Sequence, residues 1–218
     1  MATFTLWDIV RDLLMGLRWT VLLSLIAFVG GSAVTVLCVW GRLSGMRWVN
    51  RLISGYIAFF QGTPLLMQLF LIFFGLSVWQ INLSPLVAAS VGLMLFTGAF
   101  LADIWWAAFR AISKGQWHAA RVLGMTRTQT VRYIIVRQAF RHAIAPTVGL
   151  AVQVIKNTAL ASAIGVAEMT RIASIVNNAT LQPLTLFGLL ALGYFCLCYP
   201  LSRYARHLEE RLDVNGSR

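Results

Sequence analysis

Two ionisable residues stand inside apolar spans where charge is costly, Asp103 and Lys156, and Glu168 lies just beyond one. Ionisable groups at membrane depth are functional candidates by default. Lys156 is followed by Asn157 and Thr158, so a cation and two hydrogen-bonding groups lie together about 13 residues into an apolar segment. An inward-facing ammonium there could attract a substrate carboxylate or pair with Asp103 or Glu168; snorkelling to the interface or a structural ion pair are the bland alternatives. Asp103 equally fits a helix end at the interface. Thr63 precedes Pro64 inside another apolar run, a pairing that opens a helix and breaks a span. Broken helices recur at transport sites, although a simple bend would leave the same signature.

Bond chemistry has no support. The chain contains no HExxH, no GxSxG and no G-x-x-x-x-G-K-[ST] phosphate loop. His118, His142 and His207 lack carboxylate or thiol neighbours at metal spacing, so no metal site and no catalytic residue is expected. Cys38, Cys196 and Cys198 lie in apolar spans without a CxxC and read as packed thiols.

The elements that must position these residues follow from charge placement. Residues 52–102 form a run of 51 without a single Asp, Glu, Lys or Arg, long enough for two bilayer crossings at about 20 residues each. Of the whole chain, 59% is hydrophobic and 11% charged, which excludes a soluble enzyme and a disordered chain. Expected spans cover residues 19–41, 52–79, 85–106, 143–166 and 183–202. The first run, 23 residues with no A-x-A-like site after it, exceeds a signal-peptide core and reads as a true span. Small-residue pairs at four-residue spacing, such as Ala27/Gly31 and Ala88/Gly92, are expected at helix contacts.

Eighteen Lys and Arg against seven Asp and Glu give a net charge of +11. Fourteen of the eighteen fall on one side of the five-span arrangement, in the loop with Arg42, Arg47 and Arg51, in residues 104–142, and in the tail from Arg203. The positive-inside rule then orients the chain with its N-terminus out and its C-terminus in. Contacts to membrane lipid follow from the same charges; nucleic acid is not an expected partner, because no basic domain stands apart from the spans.

Between spans three and four lies an acid-free stretch, residues 107–142. Ser113-Lys114-Gly115-Gln116 fits a capping box and Gly124 fits a left-handed terminator, predicting a short helix over about 114–123. Thr126-Arg127-Thr128-Gln129 begins a second helix. The short helix carries small residues, Ala119 and Ala120, beside an apolar anchor, Leu123, a surface suited to a protein partner. A basic helix lying on headgroups is the alternative.

At this point four ordered segments resemble one family. Gly115-Gln116-Trp117-His118-Ala119-Ala120-Arg121-Val122-Leu123-Gly124-Met125 is similar to the EAA loop of binding-protein-dependent ABC transporter permeases. Residues Phe60 to Phe70 resemble the F-R-G-T-P-L-L-x-Q-L-F signature of the polar amino-acid subfamily, Arg137 to Arg141 resemble P-Q-A-F-R, and Lys156 to Ser162 resemble K-D/N-T-S-L-A-S. The resemblance implies an all-α integral membrane protein: an importer transmembrane domain over residues 19–207, an extracytoplasmic segment before it and a cytoplasmic tail over 208–218. It implies that the 114–124 helix couples to a separate ATPase through Gly115, Gln116, His118, Ala119, Ala120, Leu123 and Gly124. It places Thr63, Asp103, Lys156, Asn157 and Thr158 near a substrate path. It also implies an inner-membrane location, a pair of ATPase subunits that bind ATP and Mg, a second permease subunit and an extracytoplasmic binding protein; no cofactor is expected in this chain. Two departures stand out: His118 occupies the usual Glu position, and Trp106 stands where A-E-I-x-R has Arg. The reading from a different class is an ion-coupled secondary transporter driven by Asp103, Lys156 and Glu168.

Overall fold

The computed structural model describes residues 5–213 and is all-helical over them. The helices are α1 (Leu6–Leu43), α2 (Arg47–Gly62), α3 (Leu65–Phe70), α4 (Leu76–Val78), α5 (Pro85–Ala111), α6 (Lys114–Val122), α7 (Arg127–Thr130), α8 (Val136–Asn157), α9 (Met169–Thr180) and α10 (Pro183–Asp213). A wide π-turn, Leu71–Gly75, joins α3 to α4, and another, Val131–Ile135, joins α7 to α8; a tight 3₁₀ segment, Thr158–Ile164, continues α8.

Four helical stretches are long and apolar enough to cross a bilayer: Leu6–Leu43, Pro85–Ala111, Arg127–Ile164 and Pro183–Arg211. The count becomes five when Arg47–Gly62 and Leu65–Val78, bent 109° to each other, are taken as one broken span. The expected break at Gly62-Thr63-Pro64 is therefore present. Its chemistry differs from the sequence reading. Thr63 does not cap the helix that follows; its hydroxyl donates back to the Phe59 carbonyl at 2.7 Å, and Pro64 is the residue before α3.

Three boundaries move for physical reasons. First, α1 starts at Leu6 rather than 19, because Thr5 and Asp8 form a reciprocal capping box: the Asp8 amide donates to Thr5 Oγ1 at 3.3 Å and the Thr5 amide to Asp8 Oδ2 at 3.1 Å. Its early turns then bury Ile9 and Leu13 against Met169, Ala173 and Leu186 of α9 and α10. Second, residues 127–142, expected as a separate helix, do not stop short of span four. They are the near-continuous helical start of it, with Ile135, Ala139 and Ala143 fully buried against Ala108, Phe109 and Ile112 at the end of α5. Third, α9 was not expected from the sequence. Glu168 caps it by accepting the Arg171 amide at 2.7 Å, acting as Asp does at other N-caps.

Small residues set the closest approach. A Cβ on Gly31 would stand 2.8 Å from Thr97 Cβ and 3.0 Å from the Gly98 amide nitrogen, and one on Gly98 would stand 2.8 Å from Val34 Cβ. Backbones this close allow the Thr35 hydroxyl of α1 to reach the Gly98 carbonyl of α5 at 3.3 Å. Ala27 and Ala88 are fully buried, as expected of the small pairs. The main core gathers Leu23, Leu69, Leu93, Phe96, Leu101 and Val154 from α1, α3, α5 and α8.

Candidate functional site

Two regions carry the sequence-derived residues. The first is α6. The sequence box at its start does not form: Ser113 is the N-cap residue, yet its side chain makes no capping bond, and only its carbonyl is engaged, by the Gln116 amide at 3.1 Å. The terminator does form. Gly124 lies in the left-handed region (φ +70°), its amide donates to the Arg121 carbonyl at 3.0 Å, and the Met125 amide donates to the Ala120 carbonyl at 3.0 Å. These paired bonds are the Schellman pattern. The second box is complete, with the Gln129 amide on Thr126 Oγ1 and Gln129 Oε1 on the Thr126 amide.

The folded helix divides the residues named from the sequence. Gly115, Gln116, His118, Ala119, Leu123 and Gly124 are exposed. Ala120 is not: it is fully buried within the chain, so the surface for close approach is Ala119 alone. Val122, passed over in the sequence, is 88% exposed and Leu123 is 76% exposed. Two adjacent apolar side chains in solvent, on a helix with Lys114, His118 and Arg121 also exposed, leave α6 incomplete as an isolated surface.

The second region lies at span depth. The polar triplet sits where α8 tightens into the 3₁₀ segment, which ends at Gly165 with φ +97°. Such a tightening inside a span marks a functional hinge or local strain. Thr158 is fully buried and donates to the Ile155 carbonyl at 2.7 Å, Asn157 is half-buried, and Lys156 is exposed. Gln153, three residues earlier, is exposed on the same helix face as Lys156 and was missed in the sequence, where only charge flagged depth. The 3₁₀ segment packs against α3, so the broken span and the triplet segment are neighbours.

Gln68 locks that break. Its side chain is 3% exposed, and Nε2 lies 3.0 Å from the Phe60 carbonyl, 3.0 Å from the Thr63 carbonyl and 2.8 Å from Thr63 Oγ1. One amide thus serves carbonyls that the end of α2 leaves open. The sequence placed Gln68 in a motif without assigning it this task.

Neither acid meets Lys156. Asp103 accepts from Gln61 Nε2 at 3.3 Å and faces the charge of Arg42. The Arg42 guanidinium stacks 5.2 Å from the centre of the Trp106 ring. Trp106, at the position where the resembled pattern has Arg, thus lies beneath a guanidinium carried by α1. Glu168 is fully buried and accepts from the Tyr194 hydroxyl at 2.9 Å, from the Arg171 amide, and from Thr20 Oγ1 at 3.5 Å. Burial pushes its carboxyl upward, opposed by hydrogen bonds from Thr170, Arg171 and Tyr194. Asp103, Lys156 and Glu168 share no hydrogen-bond partner among the described residues, so the ion pair that is one of the alternatives for Lys156 does not form within the chain.

A family model for the "binding-protein-dependent transport system inner membrane component" matches residues 33–214. The chain belongs to that family. It is a multi-pass inner-membrane permease of the ABC transporter class. The L-cystine transport system permease protein TcyB of Bacillus subtilis is 34% identical to this permease, over 95% of the chain and 91% of its own length. The glutamine transport system permease protein GlnP of Escherichia coli is 30% identical, over 96% of both. A solved structure, described as that of an amino acid ABC transporter with histidines, superposes on the permease with a TM-score of 0.87 at 29% identity, covering 96% of this chain and 99% of that one. The methionine transporter MetNI, at 24% identity and a TM-score of 0.68, shares the fold.

Proposed function

We propose that the chain is one transmembrane half of an ATP-driven amino-acid importer, coupled to a separate ATPase through α6. The observation that carries this reading is the pair Val122 and Leu123, exposed at the end of a short helix that a Schellman turn terminates just before the capped start of α7. The sequence has no phosphate loop, so ATP and Mg belong to a partner. Closure of two ATPase subunits would push α6, and α6 would move α5 and α8 between which it is strung. Relatives named for cystine and glutamine support an amino acid as cargo.

A pore made by two such halves, fed by an extracytoplasmic binding protein, explains the exposed Gln153 and Lys156. Polar side chains at span depth face a cavity or a partner rather than lipid. Lys156 offers a cation to an amino-acid carboxylate; Thr63 and Thr158 hold backbone at the two helix discontinuities rather than facing substrate. The basic count supports the N-out orientation, and two tryptophans support α1 as a full crossing. Trp7 and Trp40, 73% and 70% exposed, lie 33 residues apart on α1, about 50 Å at the helical rise, which spans the bilayer with its headgroup layers.

Co-purification with the cognate ATPase tests the reading. Val122→Asp and Leu123→Asp should lower recovery of the complex at least tenfold while leaving the thermal unfolding of the permease unchanged. A complex that survives both substitutions overturns the coupling role. Ala120 is unsuitable for this purpose, since a charge there would test folding.

A further inference from the structure

A groove of about 700 Å³ opens between α1, α5 and the α7–α8 segment, on the side of the molecule where α6 lies, and transport coupling makes no use of it. Its walls are apolar: Val36 and Val39 from α1, Trp105 and Phe109 from α5, and Val136 from α8. Along α1 it runs from Ser32 to Ser44, about 18 Å at the helical rise. That is close to the depth of one leaflet, half of a hydrocarbon core about 30 Å thick.

The charged side chains that line the groove are Arg127 and Arg132, and no acid lines it. Both belong to the α7 end, and Arg127 Nη1 lies 3.9 Å from where a Cβ on Gly45 would stand, beside the turn that ends α1. Thr128 and Ser44 add hydroxyls at the same end. Trp40, 70% exposed, also lines this end and fits the headgroup level. The cavity therefore has an apolar slot of leaflet depth and a cationic mouth at the interface.

We propose that this groove is a binding site for an anionic glycerophospholipid, with one acyl chain in the slot and the phosphate between Arg127 and Arg132. A zwitterionic lipid fits the slot equally but gains less at the mouth, and a free phosphate gains nothing from the slot. Each basic side chain near an anionic headgroup favours binding, and two together predict a preference of about thirtyfold.

The test uses the full chain purified in detergent and delipidated, then titrated with phosphatidylglycerol or phosphatidylcholine of identical acyl chains. Bound lipid is counted by native mass spectrometry. Phosphatidylglycerol should be retained about thirtyfold better at low salt, falling towards parity at high salt as the charges are screened. R127Q/R132Q should abolish the preference, R137Q/R141Q outside the groove should preserve it, and Val36→Trp should lower retention of both lipids. Dibrominated phosphatidylglycerol should quench the wild-type tryptophan fluorescence, and Trp105→Phe should remove part of that quenching. The wild-type salt and quenching measurements stand even if a variant fails to fold. Equal retention of the two lipids by the wild type, a preference that R127Q/R132Q leaves intact, or no quenching in the assembled transporter because a second permease covers the groove would each overturn the proposal.

Discussion

Replacing Gln68 by leucine, Gln68→Leu, keeps a side chain of similar bulk in a fully packed position and removes only the amide. Two N–H groups of that amide serve three acceptors: the carbonyls of Phe60 and Thr63 and the hydroxyl of Thr63. Thr63 Oγ1 keeps its own bond to the Phe59 carbonyl, so the groups left without a donor are the two carbonyls. Water cannot reach them easily, since Gln68 is 3% exposed. Side-chain hydrogen bonds in membrane proteins are worth about 1 kcal/mol each, which gives a loss of at most about 2 kcal/mol for the pair. Part of that is offset, because leucine also removes the buried, unpartnered Gln68 Oε1. For a chain of this size the upper limit corresponds to a fall in unfolding midpoint of roughly 4–8 °C. The assay is thermal unfolding of the detergent-purified permease followed by tryptophan fluorescence. A double-mutant cycle with Thr63→Val should return a coupling of about 0.5–1 kcal/mol, because the two side chains touch. A midpoint shift below 1 °C for Gln68→Leu, or strict additivity in the cycle, would refute the claim that this amide holds the 109° bend.

Three further outcomes follow from other contacts. Gly31→Val should cost about 1–3 kcal/mol by overpacking against Thr97 and Gly98, read as loss of monodisperse protein, whereas a valine at Gly149, which has open space around it, should cost far less. Because burial raises the Glu168 carboxyl, the unfolded chain gives up this proton more readily than the folded one. Its ionisation therefore costs stability as pH rises from the ordinary glutamate value of about 4.3 until the folded carboxyl titrates; Glu168→Gln should remove that part of the pH dependence in unfolding scans while keeping a partner for the Tyr194 hydroxyl. Lys156→Met should lower uptake by reconstituted transporter without lowering its unfolding midpoint, since Lys156 is exposed in the single chain; a stability loss with normal uptake would assign it a structural task instead.

Local rules reached far along this chain because each spans only a few residues. The Thr126–Gln129 box and the Gly124 terminator are complete within four or five positions, and both form as read. The Ser113 box has the same S/T-x-x-Q pattern and does not form, and exposure does not separate the two, since Thr126 and Gln129 are exposed as well. Span ends were poorly legible for a related reason. Hydropathy reports where lipid ends, while helices continue into the aqueous phase wherever packing rewards them, as α1 does against α9 and α8 does against the end of α5. The four family-like segments were legible as letters, yet the tasks of individual residues within them were not.

By itself, the sequence determined that the chain lives in a membrane, where its apolar runs lie and where one of them must break. Composition and spacing are sufficient for those, since the cost of burying charge or an open backbone group in lipid is the same in any fold. Only the tertiary structure decided which side chains meet. It set Arg42 over Trp106, closed Gln68 onto the break, separated Asp103 and Glu168 from Lys156, buried Ala120 and exposed Val122. These pairings join residues as far apart as Thr20 and Glu168, and no spacing rule reaches across 148 positions. The groove between α1, α5 and α8 belongs to the same class, for its walls and its two arginines become one site only when three distant helices pack together.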